Sequence, residues 1–135
     1  MSRRTRFGVY GLAVSESHIL LARISNRVPG GVGKWTLPGG GMDWGESAHQ
    51  TLVREMYEET SLEPVIGPLL TVRSFAYDDP EDEYHIIQAV YRVEVRGEPR
   101  VTEIDGSVDA AAWHPLATLH ALSTTSLLEH VRHHL

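Results

Sequence analysis

The sequence predicts an α/β domain in which a mixed β-sheet lies between α-helices. Three observations support this class: β-prone segments occur on both sides of one well-marked helix, a second helix is expected near the C-terminus, and no internal repeat is present. Strands and helices in this order are typical of layered α/β architectures. The chain has 135 residues, which is enough for a hydrophobic core, and we expect a single domain over residues 1–135.

The segments before the central helix alternate between β-prone runs and turn-forming residues. Strands are predicted over residues 7–14 and 18–24, and Ser15-Glu16-Ser17 between them predicts a hairpin turn. Residues 25–34 contain a proline and three glycines, which predicts a flexible loop. A short strand over residues 35–38 then leads into the central helix.

The segments after that helix are mostly extended. Strands are predicted over 63–66, 69–77, 85–95 and 110–114, with a break at Gly67-Pro68 and an acidic loop over 78–83. The segment 85–95 is the longest β-prone run, so we expect it in the interior of the sheet. A weak helical turn is expected over 116–122, followed by a final helix that begins at Ser123 or Thr124 and ends at His133.

The central helix has a clear start signal and two distinct faces. Ser47 followed by Gln50 matches a capping box. An apolar stripe at i, i+4 and i+8 can pack against a sheet; it comprises Ala48, Leu52 and Met56. A trio of carboxylates at i, i+3 and i+4 shares another face; it comprises Glu55, Glu58 and Glu59.

These three carboxylates favour a metal site. Like charges held this close repel and raise their own pKa values, so a counter-charge is expected. Hard divalent cations such as Mg²⁺ bind oxygen ligands. The simpler interpretation of such a trio is a solvated helix surface, because Glu is a good helix former. The preceding run Pro38-Gly39-Gly40-Gly41 favours the metal, since glycine lets the backbone approach a ligand closely and offer a carbonyl to a metal.

This stretch resembles the signature of the Nudix hydrolases. That signature is a Gly, five residues, a Glu, seven residues, and then Arg-Glu-aliphatic-x-Glu-Glu-x-Gly-aliphatic. The matching positions here are Gly40, Glu46, Arg54, Glu55, Met56, Glu58, Glu59, Ser61 and Leu62. Only Ser61 departs, because the family has Gly at this helix exit, where a left-handed residue is usual.

The resemblance implies a pyrophosphohydrolase that cleaves a diphosphate linkage in a nucleoside diphosphate joined to another group. It also implies Mg²⁺ as the cofactor, with Mn²⁺ as a substitute. The implied metal ligands are Glu55, Glu58, Glu59 and the main-chain carbonyl of Gly39. Arg54 is expected to form an ion pair with a box glutamate, with Glu46 the favoured partner, and Glu46 could instead join the metal shell through water.

The general base stays open at this point. Glu58 is one candidate, and carboxylates outside the box are others, namely those of Glu81–Glu83 and Glu103. For the acidic loop the simpler interpretation is a solvated run of charge. In an enzyme, replacing a true base by its amide lowers the rate by about 10²–10⁴.

Four residues are candidates for substrate contact: Trp35, Gly40, Tyr77 and His85. Trp35 is also interpreted as a core or rim aromatic, and His85 as a packed strand residue. Tyr77 and Pro80 lie where the family places residues that discriminate substrates, so a nucleoside triphosphate, an oxidised nucleotide and an ADP-ribose-like substrate all stay open. A nucleotide-binding regulatory module with the same fold is the alternative function.

Composition sets further expectations. The net charge of −6 argues against nucleic acid as a partner, because phosphate backbones are held by clustered Lys and Arg. The basic cluster Arg3, Arg4 and Arg6 is interpreted as a solvated tail. No apolar run is long enough to span a bilayer, so we expect a cytoplasmic protein without membrane contact. A homodimer through the apolar N-terminal region is a further expectation, by analogy with small Nudix proteins.

Overall fold

The computed structural model describes residues 2–135. Its strands are β1 Ser2–Leu12, β2 Val14–Ser15, β3 His18–Ile24, β4 Trp35–Thr36, β5 Gly39–Gly41, β6 Val65–Asp78, β7 Asp82–Glu94 and β8 Val108–Pro115. The α-helices are α1 Ala48–Thr60 and α2 Ser126–Val131, and 3₁₀ helices cover Leu116–Ala121 and Arg132–His134. None of the helices in this part of the chain is long and apolar enough to cross a membrane.

The strands form two sheets. The first has the order β5-β1-β7-β6 and is mixed, because β1 runs parallel to β7 while the other pairs are antiparallel. The second is antiparallel and combines β2, β3, β4 and β8. The predicted α/β class is therefore confirmed, and β7 lies in the interior of its sheet as expected. The sequence did not indicate that the strands divide into two sheets.

The two helices cover opposite faces of the mixed sheet. On one face, Leu52 and Met56 of α1 pack in a fully buried cluster with Val9 of β1. The other face carries a second cluster, in which Leu128 of α2 packs with Val90 of β7. Side chains alternate between the two faces of a strand, so β1 and β7 contribute to both clusters. This arrangement confirms the predicted apolar stripe of α1.

Strand β6 is longer than the sequence predicts. The expected break at Gly67-Pro68 is wrong, because the strand continues from Val65 to Asp78 with register shifts between Ile66 and Leu69 and between Leu69 and Thr71. Proline is tolerated here because β6 is an edge strand and the register shifts relieve its missing N–H donor. The acidic loop is correspondingly shorter, since Asp78 ends β6 and Asp82 begins β7.

The N-terminal basic cluster is exposed to solvent as expected, but it belongs to β1, so its interpretation as a tail is wrong. Arg3 lies 3.3 Å from the carboxylate of Glu83, and Arg4 lies 3.2 Å from that of Asp82. These pairs follow from the parallel register, in which Arg3 is opposite Glu83 and Arg4 opposite Tyr84. The basic residues thus neutralise the acidic hairpin between β6 and β7.

The last helix begins later than expected. Its N-cap is Thr125, whose hydroxyl accepts a hydrogen bond from the N–H of Leu128, so the predicted caps Ser123 and Thr124 are wrong. Those two residues are held extended beside β4, because the Trp35 N–H donates to the Ser123 carbonyl and the Thr125 N–H donates to the Trp35 carbonyl. A helix cannot start while these backbone groups are engaged in strand-like pairing.

Candidate active site

Helix α1 begins at the predicted capping box. The Ser47 hydroxyl accepts from the Gln50 N–H at 3.1 Å, and the Gln50 side chain accepts from the Ser47 N–H at 2.9 Å. At the other end, Ser61 adopts the left-handed conformation that the family pattern assigns to Gly, with φ 62°. Its hydroxyl donates to the Arg100 carbonyl at 2.6 Å. The helix exit is thus preserved without glycine.

The glycine turn, residues Gly39–Gly41, forms β5 and lies between β1 and the carboxylates of α1. Gly39 has φ 146°, and a Cβ on it would lie 2.2 Å from the Val9 carbonyl oxygen, so only glycine fits. A Cβ on Gly40 would lie 2.6 Å from the carboxyl carbon of Glu55. The two glycines therefore let this turn contact β1 on one side and the Glu55 carboxylate on the other.

Glu59 is a buried carboxylate. It is 4% exposed, and its Oε1 accepts a hydrogen bond from the Gly39 N–H at 3.1 Å. Within residues 2–135 it has no basic side chain at salt-bridge distance. Burial raises its pKa well above the ordinary value, and the charges of Glu55, Glu58 and Glu103 raise it further. An ionised Glu59 therefore requires a cation.

Arg54 is the basic centre of the site. It donates to both oxygens of Glu46, from Nε at 2.8 Å and from Nη2 at 2.9 Å, and this confirms the expected ion pair. Its Nη1 donates to Glu55 at 3.0 Å and lies 3.4 Å from Glu58. The Arg54 guanidinium lowers the pKa of Glu46 to about 2, with help from the Asp43 N–H. Glu46 is thus a permanent anion that anchors Arg54.

Glu55 is intermediate between Glu59, which is buried without a basic partner, and Glu46, which is paired with Arg54. Partial burial raises its pKa, whereas its ion pair with Arg54 acts in the opposite direction. The repulsion expected among the three box carboxylates is therefore present, because the charge of Glu58 also raises the pKa of Glu55. Arg54 relieves this repulsion for Glu55 and Glu58, and it leaves Glu59 without a partner.

The donor set fits a divalent cation in charge and in chemistry. Carboxylate and carbonyl oxygens are the ligands that Mg²⁺ prefers, and Glu59 is a buried anion with no cation beside it. Over residues 2–135, no three acidic or histidine side chains already converge on one point. Glu55 and Glu58 are directed toward Arg54 instead, so metal binding would require them to rotate.

A cleft of about 370 Å³ opens beside the glycine turn. Glu55 and Glu59 line one side of it together with the turn, and Tyr10 lies next to them. Other strands, α2 and the loops next to them supply the remaining lining residues, which are Ile24, Val28, Thr36, Arg73, Phe75, Gln88, Ser107, Val108, Thr125, Ser126 and Leu127. Tyr10, Arg73 and Gln88 were not predicted as site residues, because they meet only through the registers of β1, β6 and β7.

Of the four residues predicted to contact substrate, Gly40 alone lines this cleft. Trp35 packs against the core and meets the ring of His114 edge-on at 4.3 Å. Tyr77 stacks with Tyr84 at 5.0 Å on the sheet beyond the cleft. His85 is exposed and alternates with Tyr84 along β7, so it faces the side of the sheet away from Gln88.

The candidates for the general base lie in different parts of the structure. Glu83 is paired with Arg3, and Asp82 with Arg4, at the far end of the hairpin. By contrast, the charge of Glu103 contributes to the raised pKa values of both Glu55 and Glu59. Glu103 therefore lies within electrostatic range of the box, and Glu58 is part of the box itself.

Comparison with known proteins identifies the family. The NUDIX domain model matches residues 2–133. The chain belongs to the Nudix family. The expected family membership is thereby confirmed over nearly the whole chain.

Relatives within this Nudix family differ in what they act on. An ADP-ribose pyrophosphatase of Methanocaldococcus jannaschii is 36% identical over 89 residues, which is 66% of this chain and 50% of that protein. An RNA pyrophosphohydrolase of Pseudoalteromonas atlantica is 50% identical over 38 residues, 28% of this chain and 22% of its own length. The chain thus matches half or less of the length of these two relatives.

A solved structure aligns over more of the chain. The MutT Nudix hydrolase from Burkholderia pseudomallei is 32% identical with a TM-score of 0.71, and the alignment covers 84% of this chain and 85% of that one. This similarity supports the Nudix fold as described above, with the mixed sheet between two helices.

Proposed function

We propose that this Nudix protein is a metal-dependent pyrophosphohydrolase that cleaves a diphosphate linkage in a nucleoside diphosphate joined to another group. The observation that carries the proposal is Glu59, a buried carboxylate without a cationic partner at the edge of a cleft. A buried charge of this kind is costly unless a cation neutralises it. Structural acids are normally paired, so the arrangement favours a binding role.

Glu55, Glu58, Glu59 and the carbonyl of Gly39 would hold the metal, with Mg²⁺ as the physiological ion and Mn²⁺ as a substitute. A divalent ion supplies charge neutralisation at phosphate oxygens and a lower pKa for bound water. The chain's own contribution is positioning. Glu46 fixes Arg54, which holds Glu55 and Glu58 together on α1, and these two carboxylates would rotate from Arg54 toward the cation when it binds.

For the proton taken from water we propose Glu58 or Glu103. Glu58 is 41% exposed at its side chain, so it can change orientation between Arg54 and the cleft. Glu103 is exposed in the segment between β7 and β8 and acts electrostatically on the box. Asp82 and Glu83 are poor candidates because they are already paired with Arg4 and Arg3 of β1.

The substrate classes that stay in this proposal are nucleoside triphosphates, oxidised nucleotides and ADP-ribose-like compounds. The relative from Methanocaldococcus jannaschii is named for ADP-ribose and the one from Pseudoalteromonas atlantica for RNA. Each alignment covers only part of the relative's length. Small-molecule nucleotides remain the preferred partners, because the cleft has the volume of a small-ligand site. A cytoplasmic location and a homodimer remain predictions from the sequence.

The test is a phosphate-release assay on purified protein with Mg²⁺. The panel contains nucleoside triphosphates, 8-oxo-dGTP, ADP-ribose, nucleotide sugars and a 5′-triphosphorylated RNA. Coupled pyrophosphatase reports pyrophosphate from the triphosphates, and coupled alkaline phosphatase reports the phosphomonoesters released from ADP-ribose and the nucleotide sugars. We expect turnover of at least one small nucleotide, loss of that turnover on chelation, and a loss of at least about 10²-fold in Glu59→Gln.

A matched control is available in Glu83→Gln, which removes an acid of the same type outside the site. Turnover that survives in Glu59→Gln, or that persists after chelation, would contradict the proposal. If the protein binds nucleotides and hydrolyses none of them, the alternative of a nucleotide-binding regulatory module replaces it.

A further inference from the structure

Among the described residues 2–135, Arg73 of β6 is the only basic residue that lines the cleft. Its Nε donates to the Gln88 side-chain oxygen at 2.7 Å, and its Nη2 donates to the Ser126 hydroxyl at 2.9 Å. The guanidinium also lies over the ring of Phe75, 5.1 Å from its centroid. Contacts from β7, α2 and its own strand therefore hold the guanidinium in one orientation.

No acidic partner neutralises this arginine. Within residues 2–135, no carboxylate lies at salt-bridge distance from Arg73. A guanidinium has five N–H donors, and the two contacts above use only two of them. Both N–H groups on Nη1 and one on Nη2 make no hydrogen bond within residues 2–135, so these two nitrogens can together donate to a ligand.

The surroundings of Arg73 suit a flat ring better than a phosphate. Apolar side chains form much of the cleft lining, and they are Ile24, Val28, Phe75, Val108 and Leu127. Hydroxyl groups of Thr36, Ser107, Thr125 and Ser126 supply further polar atoms. A phosphate chain carries several charges and would need more than one cation. Small-ligand sites with apolar walls and a few fixed polar groups typically hold uncharged rings.

The same cleft also holds the proposed metal ligands. Glu55 and Glu59 line it beside the glycine turn. Tyr10 connects them to Arg73, since its hydroxyl interacts with Gln88, which accepts from Arg73, and its pKa is raised by burial and by the charges of both glutamates. A nucleotide lying along the cleft would place its diphosphate at the carboxylates and its base at Arg73.

We propose that Arg73 selects the nucleobase, and that the cleft takes bases with two adjacent hydrogen-bond acceptors. Guanine presents O6 and N7 on one edge, and this pair matches the fork of an arginine. Cytosine presents O2 and N3 in the same way. Adenine places an amino donor beside N7, which opposes a group that can only donate. This inference rests on the proposed function and names the substrate class for that site.

The experiment compares kcat/KM for GTP, CTP, ATP and UTP in the wild type, Arg73→Gln, Arg73→Lys and the control Arg96→Gln. Arg96 is exposed and lies outside the cleft, so its replacement removes the same charge without touching the site. We expect GTP and CTP to exceed ATP and UTP by about 10- to 100-fold, which is the discrimination of one bidentate pair. Arg73→Gln and Arg73→Lys should both abolish this preference, and Arg96→Gln should retain it.

Other patterns would overturn the inference. If Arg73→Gln raises KM equally for all four nucleotides and Arg73→Lys restores it, Arg73 binds phosphate and does not select the base. Calorimetric binding of GMP and AMP provides a readout that does not require turnover, and equal affinities in the wild type would also refute base selection. Hydrolysis without base preference leaves the proposed function intact, whereas preferential GMP binding without any hydrolysis supports the subsite and contradicts the enzyme.

Discussion

Two groups of carboxylates in this molecule illustrate different uses of the same side chains. At the tip of the β6–β7 hairpin, Asp82 and Glu83 are paired with Arg4 and Arg3. The Ser2 hydroxyl and the charge of Arg4 lower the pKa of Asp82. In the box of α1, burial raises the pKa of Glu59, and no arginine or lysine within residues 2–135 lies at salt-bridge distance. The hairpin pair is neutralised by the chain, whereas Glu59 of the box is not.

This difference supports the role proposed for Glu59. The hairpin acids add local stability and need nothing further, because each has a basic partner supplied by β1. Burying Glu59 without a partner destabilises the fold by itself. Such a residue is retained where an external cation completes the site, so an unneutralised buried carboxylate is more informative about function than a cluster of acids on the surface.

After Glu59→Gln, we expect the largest loss of activity in Glu46→Gln. The amide keeps the size of the side chain and removes the charge that holds both Arg54 donors. Arg54 would then turn more fully toward Glu55 and Glu58 and compete with the metal. Removing such a supporting residue typically costs about 10- to 100-fold in metal affinity or activity.

The measurement for this variant is activity as a function of Mg²⁺ concentration. We expect the half-saturating Mg²⁺ concentration to rise, with partial recovery of the rate at high Mg²⁺. Thr51→Ser is a suitable control, since its hydroxyl also contacts Glu46 at 3.1 Å and the substitution retains it. An unchanged Mg²⁺ dependence in Glu46→Gln would show that Arg54 does not compete with the metal.

The smallest effect is expected in the hairpin. Glu83→Gln removes a pair in which the side chains of Arg3 and Glu83 are 86% and 45% exposed. Exposed pairs of this kind contribute about 0–1 kcal/mol, and screening by salt reduces this further. Chemical denaturation should therefore detect little change in the free energy of unfolding, and the activity should equal that of the wild type. A strong loss of activity would place the hairpin in the catalytic machinery.

Local signals were enough to predict the centre of this fold. The capping box, the apolar stripe of α1 and the Arg54–Glu46 pair all depend on residues close in sequence, and each is present in the structure. Left-handed Ser61 also occupies the position where the family pattern has Gly. These features follow from helix geometry, which fixes which side chains share a face.

Long-range pairing could not be predicted in the same way. Arg73 meets Gln88 because β6 and β7 pair in one register, and a shift of β6 by one residue would move Arg73 to the other face of the sheet. The neutralisation of Glu83 by Arg3 likewise depends on the parallel pairing of β1 with β7. Nothing local to these residues specifies such contacts, so the cleft beyond the box was missed and Tyr77 and His85 were chosen as candidates in its place.

The most direct test of the central claim is thermal unfolding of the wild type and Glu59→Gln, with and without Mg²⁺, between pH 5 and pH 8. A raised pKa means that folded Glu59 binds its proton more tightly than the unfolded chain does. The metal-free wild type should therefore lose stability relative to Glu59→Gln as the pH rises above the ordinary glutamate value of 4.5.

Mg²⁺ should reverse this order in the wild type alone. Binding at 100 times the dissociation constant stabilises a folded protein by about 2.7 kcal/mol, and Glu59→Gln should show little of this gain. We predict that metal-free Glu59→Gln unfolds at a higher temperature than the metal-free wild type and that Mg²⁺ raises the wild-type temperature. A variant that is less stable than the wild type without metal, together with no response of the wild type to Mg²⁺ or Mn²⁺, would contradict the account.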